Sequence, residues 1–172
     1  MNQSIILYQS KYGSTKKYAE WLREELSCDI TETKKADITK ISNYNTIILG
    51  GGIYAGNIAG LSFIKKHSSK LKDKNIIIFA IGALPYIEEA VAKLRKNIPE
   101  IAHLFYLRGA WDQEVMTGKD KLLTNMVKKM LSKKDPAKYE PSEAALMEIM
   151  DEKNDWVDKD NLEALIDHIK SI

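Results

Sequence analysis

Residues that could bind an anion are concentrated in one short stretch near the start of the chain. There an apolar run at residues 5–8 precedes four small residues, Ser10, Gly13, Ser14 and Thr15. Apolar residues at helical spacing follow, so the pattern predicts a strand, a loop and a helix N-terminus. Hydroxyl groups and unpaired amides at such a terminus attract negative charge. The stretch therefore predicts a phosphate site; the alternative is an ordinary helix start capped by Ser14 or Thr15.

The spacing within this loop argues against two kinds of phosphate ligand, dinucleotides and nucleoside triphosphates. A dinucleotide-binding loop has three glycines, whereas Gly13 is the only glycine between residues 10 and 15. A nucleoside-triphosphate loop has its lysine directly before Ser or Thr, whereas Lys16 follows Ser14 and Thr15. A terminal monophosphate is the ligand that remains for this hydroxyl-rich loop.

Strand and helix patterns alternate along the whole chain and must position this loop. The predicted strands are 5–8, 29–33, 46–49, 75–81 and 104–107, and the predicted helices are 16–26, 62–71, 87–98 and 162–169, with a polar connection at 37–43. This alternation predicts an α/β fold with a doubly wound, five-stranded parallel sheet and helices on both faces. Because ligands bind beyond the carboxyl ends of parallel strands, the loops at 10–15, 50–57 and 82–85 are expected to meet.

The loop sequence Ser-Lys-Tyr-Gly-Ser-Thr at 10–15 resembles the FMN-phosphate loop of flavodoxins, whose pattern is Ser/Thr-x-x-Gly-x-Thr. The resemblance implies the flavodoxin fold and an FMN cofactor. It implies phosphate contacts from Ser10, Gly13, Ser14 and Thr15, and it places Lys11 and Tyr12 in the same cofactor-binding loop. It also implies ring contacts from Gly51, Gly52, Ile53, Tyr54, Gly82, Ala83, Leu84 and Trp111. A flavin ring needs aromatic faces to stack on and backbone groups at its edge, and small residues let the backbone approach it.

The five-strand plan does not need residues 111–156, which we predict to be a helical insertion after the last strand of a single domain, 1–172. Within it, residues 117–134 predict a basic amphipathic helix. Its apolar stripe comprises Leu122, Leu123, Met126, Val127, Met130 and Leu131. Such a helix suits a membrane surface or an apolar partner, and the alternative is that the stripe covers the domain's own core.

An acidic tract follows this helix, either against its lysines or facing water. It includes a short predicted helix at 142–150 with Ser142 as its cap. No pair of its carboxylates can be distinguished as a general acid and base, so we assign no catalytic residue.

Taken as a whole, the chain is also similar to the flavodoxin-like, quinone-dependent protoporphyrinogen oxidases. The similar pieces are the loop at 10–15 and residues 51–56, 109–110, 119–130 and 154–156. This resemblance implies an FMN-dependent oxidoreductase of haem biosynthesis with a porphyrinogen as reductant and a quinone as acceptor. Two alternatives are a non-catalytic flavodoxin that carries electrons to a redox partner protein, and a binding protein on this scaffold without flavin.

Composition excludes several other classes. The 172 residues carry a formal net charge of +2, which is unlike a nucleic-acid-coating protein and unlike the strongly acidic flavodoxins that carry electrons. One cysteine excludes an internal disulfide, and three well-separated histidines predict no metal site. Neither a signal peptide nor an apolar run long enough for a bilayer is expected. We therefore expect a cytoplasmic protein that contacts the inner face of the membrane peripherally through 117–134.

Overall fold

The computed structural model of the protein describes residues 4–172. Its strands are β1 (Ser4–Gln9), β2 (Asp29–Glu32), β3 (Thr46–Tyr54), β4 (Asn57–Ile58), β5 (Asn75–Gly82), β6 (Ala102–Arg108), β7 (Ala110–Trp111) and β8 (Asn154–Asp155). Five of them pair in parallel in the order β2-β1-β3-β5-β6. The short strand β4 pairs antiparallel with β3, and β7 pairs antiparallel with β8. The predicted five-stranded parallel sheet is confirmed.

Helices cover both faces of this sheet. They are α1 (Ser14–Leu26), α2 (Ile38–Ile41), α3 (Leu61–Lys66), α4 (Ser68–Leu71), α5 (Glu88–Arg95), α6 (Gly118–Leu131), α7 (Pro141–Ile149) and α8 (Glu163–Lys170). Alternate residues of the central strands point to opposite faces, as the period of two requires. Ile47 and Leu49 pack with residues of α2 to α5, whereas Ile48 packs with residues of α1 and α8. The sheet is therefore doubly wound, as predicted.

Several boundaries differ from the sequence prediction. The connection at 37–43 contains α2, because the Asp37 carboxylate accepts a hydrogen bond from the Thr39 amide at 2.9 Å and Ile41 is buried. The helix predicted at 62–71 is two short helices that meet at His67. Helix α7 is capped by Glu140 in a capping box with Glu143, so the prediction of Ser142 as its cap was wrong.

The glycines of β3 lie inside the strand and not after it. Gly50, Gly51 and Gly52 are buried between β1 and β5, and the chain turns back only at Ala55 and Gly56. Both turn residues have positive φ, 48° and 76°, which is typical of a two-residue hairpin. A run of three glycines predicts a loop from propensity alone, but here pairing on both sides holds it in the sheet.

Helices α6 and α7 lie between β7 and β8, within residues 111–156. Lys134, which follows the end of α6, forms an ion pair with Glu143 of α7 at 2.6 Å. The Tyr139 hydroxyl donates a hydrogen bond to the Leu131 carbonyl at 2.8 Å. Lys128 also pairs with Asp151. Part of the acidic tract therefore contacts the basic helix, which was one of the two arrangements left open by the sequence.

A histidine pair between β6 and α8 makes stability depend on pH. The rings of His103 and His168 lie 4.5 Å apart, and His168 Nε2 is buried without a hydrogen-bond partner among residues 4–172. Burial, and then the charge of His103, lower the pKa of His168. The unfolded chain therefore binds this proton more readily, and the free energy of unfolding should fall as the pH drops below about 6.5.

Urea unfolding between about pH 7.5 and 5.5, above the range in which carboxylates titrate, measures this slope. His168→Phe should flatten it, because the new ring keeps the contact with Phe105 and cannot titrate. His67→Gln, on the other face of the sheet, is the matched control and should leave the slope unchanged. An unaltered slope in His168→Phe would contradict the assignment.

Candidate functional site

The loop between β1 and α1 has the backbone geometry of an anion site. Gly13 precedes the helix with φ +102°, which a residue with a side chain rarely adopts, and no side chain among residues 4–172 caps the helix. The first helical hydrogen bond runs from the Lys17 amide to the Gly13 carbonyl at 3.0 Å. The amides of residues 14–16 therefore have no acceptor within the helix and lie at its positive end. Because Gly13 is the cap, the alternative of Ser14 or Thr15 as N-cap was wrong.

Three hydroxyl groups surround these amides. The Ser10 hydroxyl accepts a hydrogen bond from the Gly13 amide at 3.2 Å and closes the loop. The Ser14 hydroxyl accepts from the Ala110 amide at 3.3 Å, which joins the loop to β7. Thr15 is only 3% exposed, yet it lies on the wall of the adjoining cavity. The hydroxyls thus stand where a phosphate would meet the free amides.

A cavity of about 250 Å³ opens from this loop at the carboxyl ends of the parallel strands. Ten of the predicted site residues line it: Ser10, Tyr12, Ser14, Thr15, Gly52, Ile53, Tyr54, Gly82, Ala83 and Trp111. The three predicted loops therefore meet at one place, as the rule for parallel sheets requires. That these residues bind a ligand stays a prediction.

Four predicted residues do not line this cavity: Lys11, Gly13, Gly51 and Leu84. Lys11 turns toward a neighbouring depression that it shares with Lys16 and Lys34. Gly51 is buried, and a side chain there would collide with the backbone of Ala59. The Leu84 carbonyl accepts a hydrogen bond from the Tyr106 hydroxyl at 2.7 Å, which anchors the loop from behind.

The glycines of the cavity wall face the protein's own aromatic residues. A side chain at Gly52 would meet the Tyr54 ring, and one at Gly82 would meet the Tyr106 hydroxyl. The small residues were predicted to let the backbone approach a ligand ring. In this structure they make room for tyrosines, which themselves shape the cavity.

Two aromatic residues supply flat faces and a polar group. Tyr54 is 37% exposed, and its ring packs edge-on against Tyr12 with centroids 6.4 Å apart. The Nε1 atom of Trp111 is buried and has no hydrogen-bond partner among residues 4–172. A buried donor without a partner costs free energy, so a ligand acceptor in the cavity would satisfy it. Tyr86 is 60% exposed, and its hydroxyl donates a hydrogen bond to the Glu88 carboxylate outside the cavity.

Helix α6 closes one side of the cavity, a position that no local pattern in the sequence indicated. The cavity residues that were missed are Ala55, Ile81, Gly109, Ala110, Met116, Asp120, Leu123 and Thr124. Gly109 and Ala110 could have been found, because they follow a predicted strand end. The residues of and around α6 could not, because no local pattern says where a long insertion packs.

Asp120 fixes this helix to the phosphate loop. Its carboxylate accepts hydrogen bonds from the Lys11 ammonium and the Tyr12 hydroxyl, and that hydroxyl also accepts from the Thr117 amide at 3.1 Å. The bond from Lys11, followed by the one from Tyr12, lowers the pKa of Asp120, and the same contact raises the pKa of Lys11. The Asp120 carboxylate of α6 therefore balances the charge of Lys11, and the N-terminal end of α1 adds positive potential beside residues 14–16.

The five parallel strands, taken in chain order, have the spatial order 2-1-3-4-5, and a loop with hydroxyl groups and free helix amides follows the first of them. That combination defines the flavodoxin-like class of α/β proteins. The sequence model of the flavodoxin domain family matches residues 5–138. The chain therefore belongs to the flavodoxin domain family.

Similarity to individual proteins is more distant. An uncharacterized protein of Methanocaldococcus jannaschii is 31% identical over 94 residues, which are 53% of this chain and 61% of that relative's length. A flavoprotein of Lactobacillus acidophilus, solved in complex with FMN, is 21% identical, with a TM-score of 0.43 over 63% of this chain and 93% of its own. Two-electron reduced Megasphaera elsdenii flavodoxin is 16% identical, with a TM-score of 0.47 over 60% and 82%.

Proposed function

We propose that this chain binds FMN and acts as a flavin-dependent oxidoreductase. One observation carries the proposal: the hydroxyl-lined N-terminus of α1 opens into the same cavity as Tyr54 and Trp111. A hydroxyl-lined helix end and two aromatic side chains thus line one cavity, which suits one molecule with a charged tail and a flat ring. Membership of the flavodoxin domain family supports the same cofactor.

The donor set of the cavity fits FMN. The amides of residues 14–16 and the hydroxyls of Ser10, Ser14 and Thr15 would hold the phosphate, with no lysine required. Tyr54 and Trp111 would contact the ring, and the free Nε1 donor of Trp111 would meet one of its acceptor atoms. FMN when bound supplies electron transfer.

The wall formed by and beside α6 favours an apolar substrate over a large protein partner. Met116 and Leu123 line the cavity on this side, next to the polar side chains of Asp120 and Thr124. We propose a reduced tetrapyrrole such as protoporphyrinogen as the reductant and a quinone as the acceptor. The proposal is supported by the sequence resemblance to quinone-dependent protoporphyrinogen oxidases and by these two side chains.

Titration with FMN, followed by quenching of flavin fluorescence, tests the cofactor, and turnover of protoporphyrinogen with a menaquinone analogue tests the substrate. We expect saturable one-to-one binding and activity above that of free FMN. Failure of the protein to bind FMN would contradict the whole proposal. Binding of FMN without turnover would remove the tetrapyrrole and leave electron transfer to a partner protein, which family membership also suits.

A further inference from the structure

Helix α6 exposes its apolar stripe instead of burying it. Leu122, Leu123, Met126 and Met130 are between 52% and 63% exposed, and Leu131 is the one residue of the helix that is buried. The alternative that the whole stripe covers the domain's own core was therefore wrong. Four large apolar side chains thus form an exposed patch along one helix. Because these side chains are not removed from water, the patch does not contribute to the core of the folded protein.

Lysines without acidic partners border this patch. Lys129 and Lys133 are exposed beside Met126 and Met130, and neither lysine forms an ion pair with any residue of the range 4–172. The acidic residues of the insertion pair instead with Lys128 and with Lys134, the second of which also lies at the margin of the patch. Lys129 and Lys133 therefore keep positive charge beside the apolar side chains, and no ion pair within residues 4–172 balances it.

We propose that this face of α6 docks on an anionic membrane surface. The apolar side chains would enter the boundary between headgroups and acyl chains, and the lysines at its margins would meet lipid phosphates. Met126 and Met130 line a wide, open depression together with Lys129, Lys133 and Lys134, so the face presents apolar and positive groups side by side, as docking at the headgroup boundary of an anionic membrane requires. Among residues 4–172 no helix is long and apolar enough to span a bilayer, so contact of this kind would be peripheral.

The exposed face of α6 adjoins the cavity, so docking would also affect access to the cavity. This part of the inference, unlike the docking itself, rests on the proposed function. Leu123 belongs both to the exposed face and to the cavity wall. With α6 on the membrane, the cavity would open beside the acyl chains. A lipid-soluble electron acceptor could then reach it without entering water.

Sedimentation of the full chain with vesicles tests the docking, with phosphatidylcholine alone and with added anionic phosphatidylglycerol. We expect binding to the mixed vesicles only, weakened by salt. Lys129→Glu/Lys133→Glu and Leu122→Gln/Met126→Gln should each reduce partitioning at least about tenfold. Lys65→Glu/Lys66→Glu on α3 is the matched control and should change it little.

Three results would overturn the proposal. They are equal binding to neutral vesicles, unchanged binding of Lys129→Glu/Lys133→Glu, and binding to neither kind of vesicle. Light scattering provides a fourth: a concentration-dependent dimer abolished by Leu122→Gln/Met126→Gln would make the face a contact between copies. Because the assay needs no flavin, a failure of FMN binding would leave its outcome intact, and the two failures are distinguishable.

Discussion

Ser14→Asp is expected to weaken FMN binding by at least about 100-fold, because its carboxylate would stand beside the proposed phosphate position. Ser14 is the first residue of α1, and its hydroxyl now accepts the Ala110 amide, a bond that a carboxylate can keep. An acidic residue in the first turn also stabilises a helix. The substitution should therefore leave the fold intact. Fluorescence titration of the variant with FMN measures the loss.

Riboflavin, which lacks the phosphate, is the matched ligand for this experiment. Its affinity should be the same for the wild-type chain and for Ser14→Asp, since the substitution acts through charge. An equal loss for both ligands would mean that the cavity itself was disturbed. Unchanged FMN affinity would mean that the loop at 10–15 is not the phosphate site.

Gly50→Val should lower the free energy of unfolding by about 3 kcal/mol or more. Gly50 lies in the middle of the sheet, and a Cβ atom there would enter the ring of Phe79 on the neighbouring strand. Phe79 is fully buried and cannot move aside. Urea unfolding followed by circular dichroism measures the change.

A double variant distinguishes this collision from a general effect of valine. Phe79→Ala leaves a cavity, and Gly50→Val fills part of it, so the loss in the double variant should be smaller than the sum of the single losses. Gly118→Val is the control, because a side chain there meets no described atom within 4 Å. Additive losses would show that Gly50 is not held by the Phe79 ring.

Local patterns in the sequence predicted the scaffold well. The apolar runs at 46–49 and 75–81 are central strands covered on both faces, because only residues buried on both sides lack a polar alternation. The hydroxyl-rich loop at 10–15 follows the first of the strands, and the order of strands and helices then places three loops at one edge. Both the sheet and the meeting of these loops could therefore be predicted from the sequence.

The direction in which individual side chains point could not be predicted from these local patterns. Gly51 and Gly52 were expected to face a ligand, yet one faces the backbone of Ala59 and the other the ring of Tyr54. Propensity describes a residue and its neighbours along the chain, whereas Gly51 meets Ala59 because the β3–β4 hairpin brings it near, and Gly52 meets Tyr54 because of the direction in which that ring turns. Lys11 likewise turns to Asp120, which lies 109 positions away.

The sequence by itself determined the parallel sheet, the hydroxyl-rich loop before α1 and the amphipathic character of α6, because each follows from the spacing of neighbouring residues. Tertiary structure decided how α6 forms a wall of the cavity, and that Leu122, Met126 and Met130 remain exposed while Leu131 is buried. An amphipathic pattern states that one face is apolar and does not state what covers it. That information exists only once the insertion has packed against the loop through Asp120 and against α7 through Lys134.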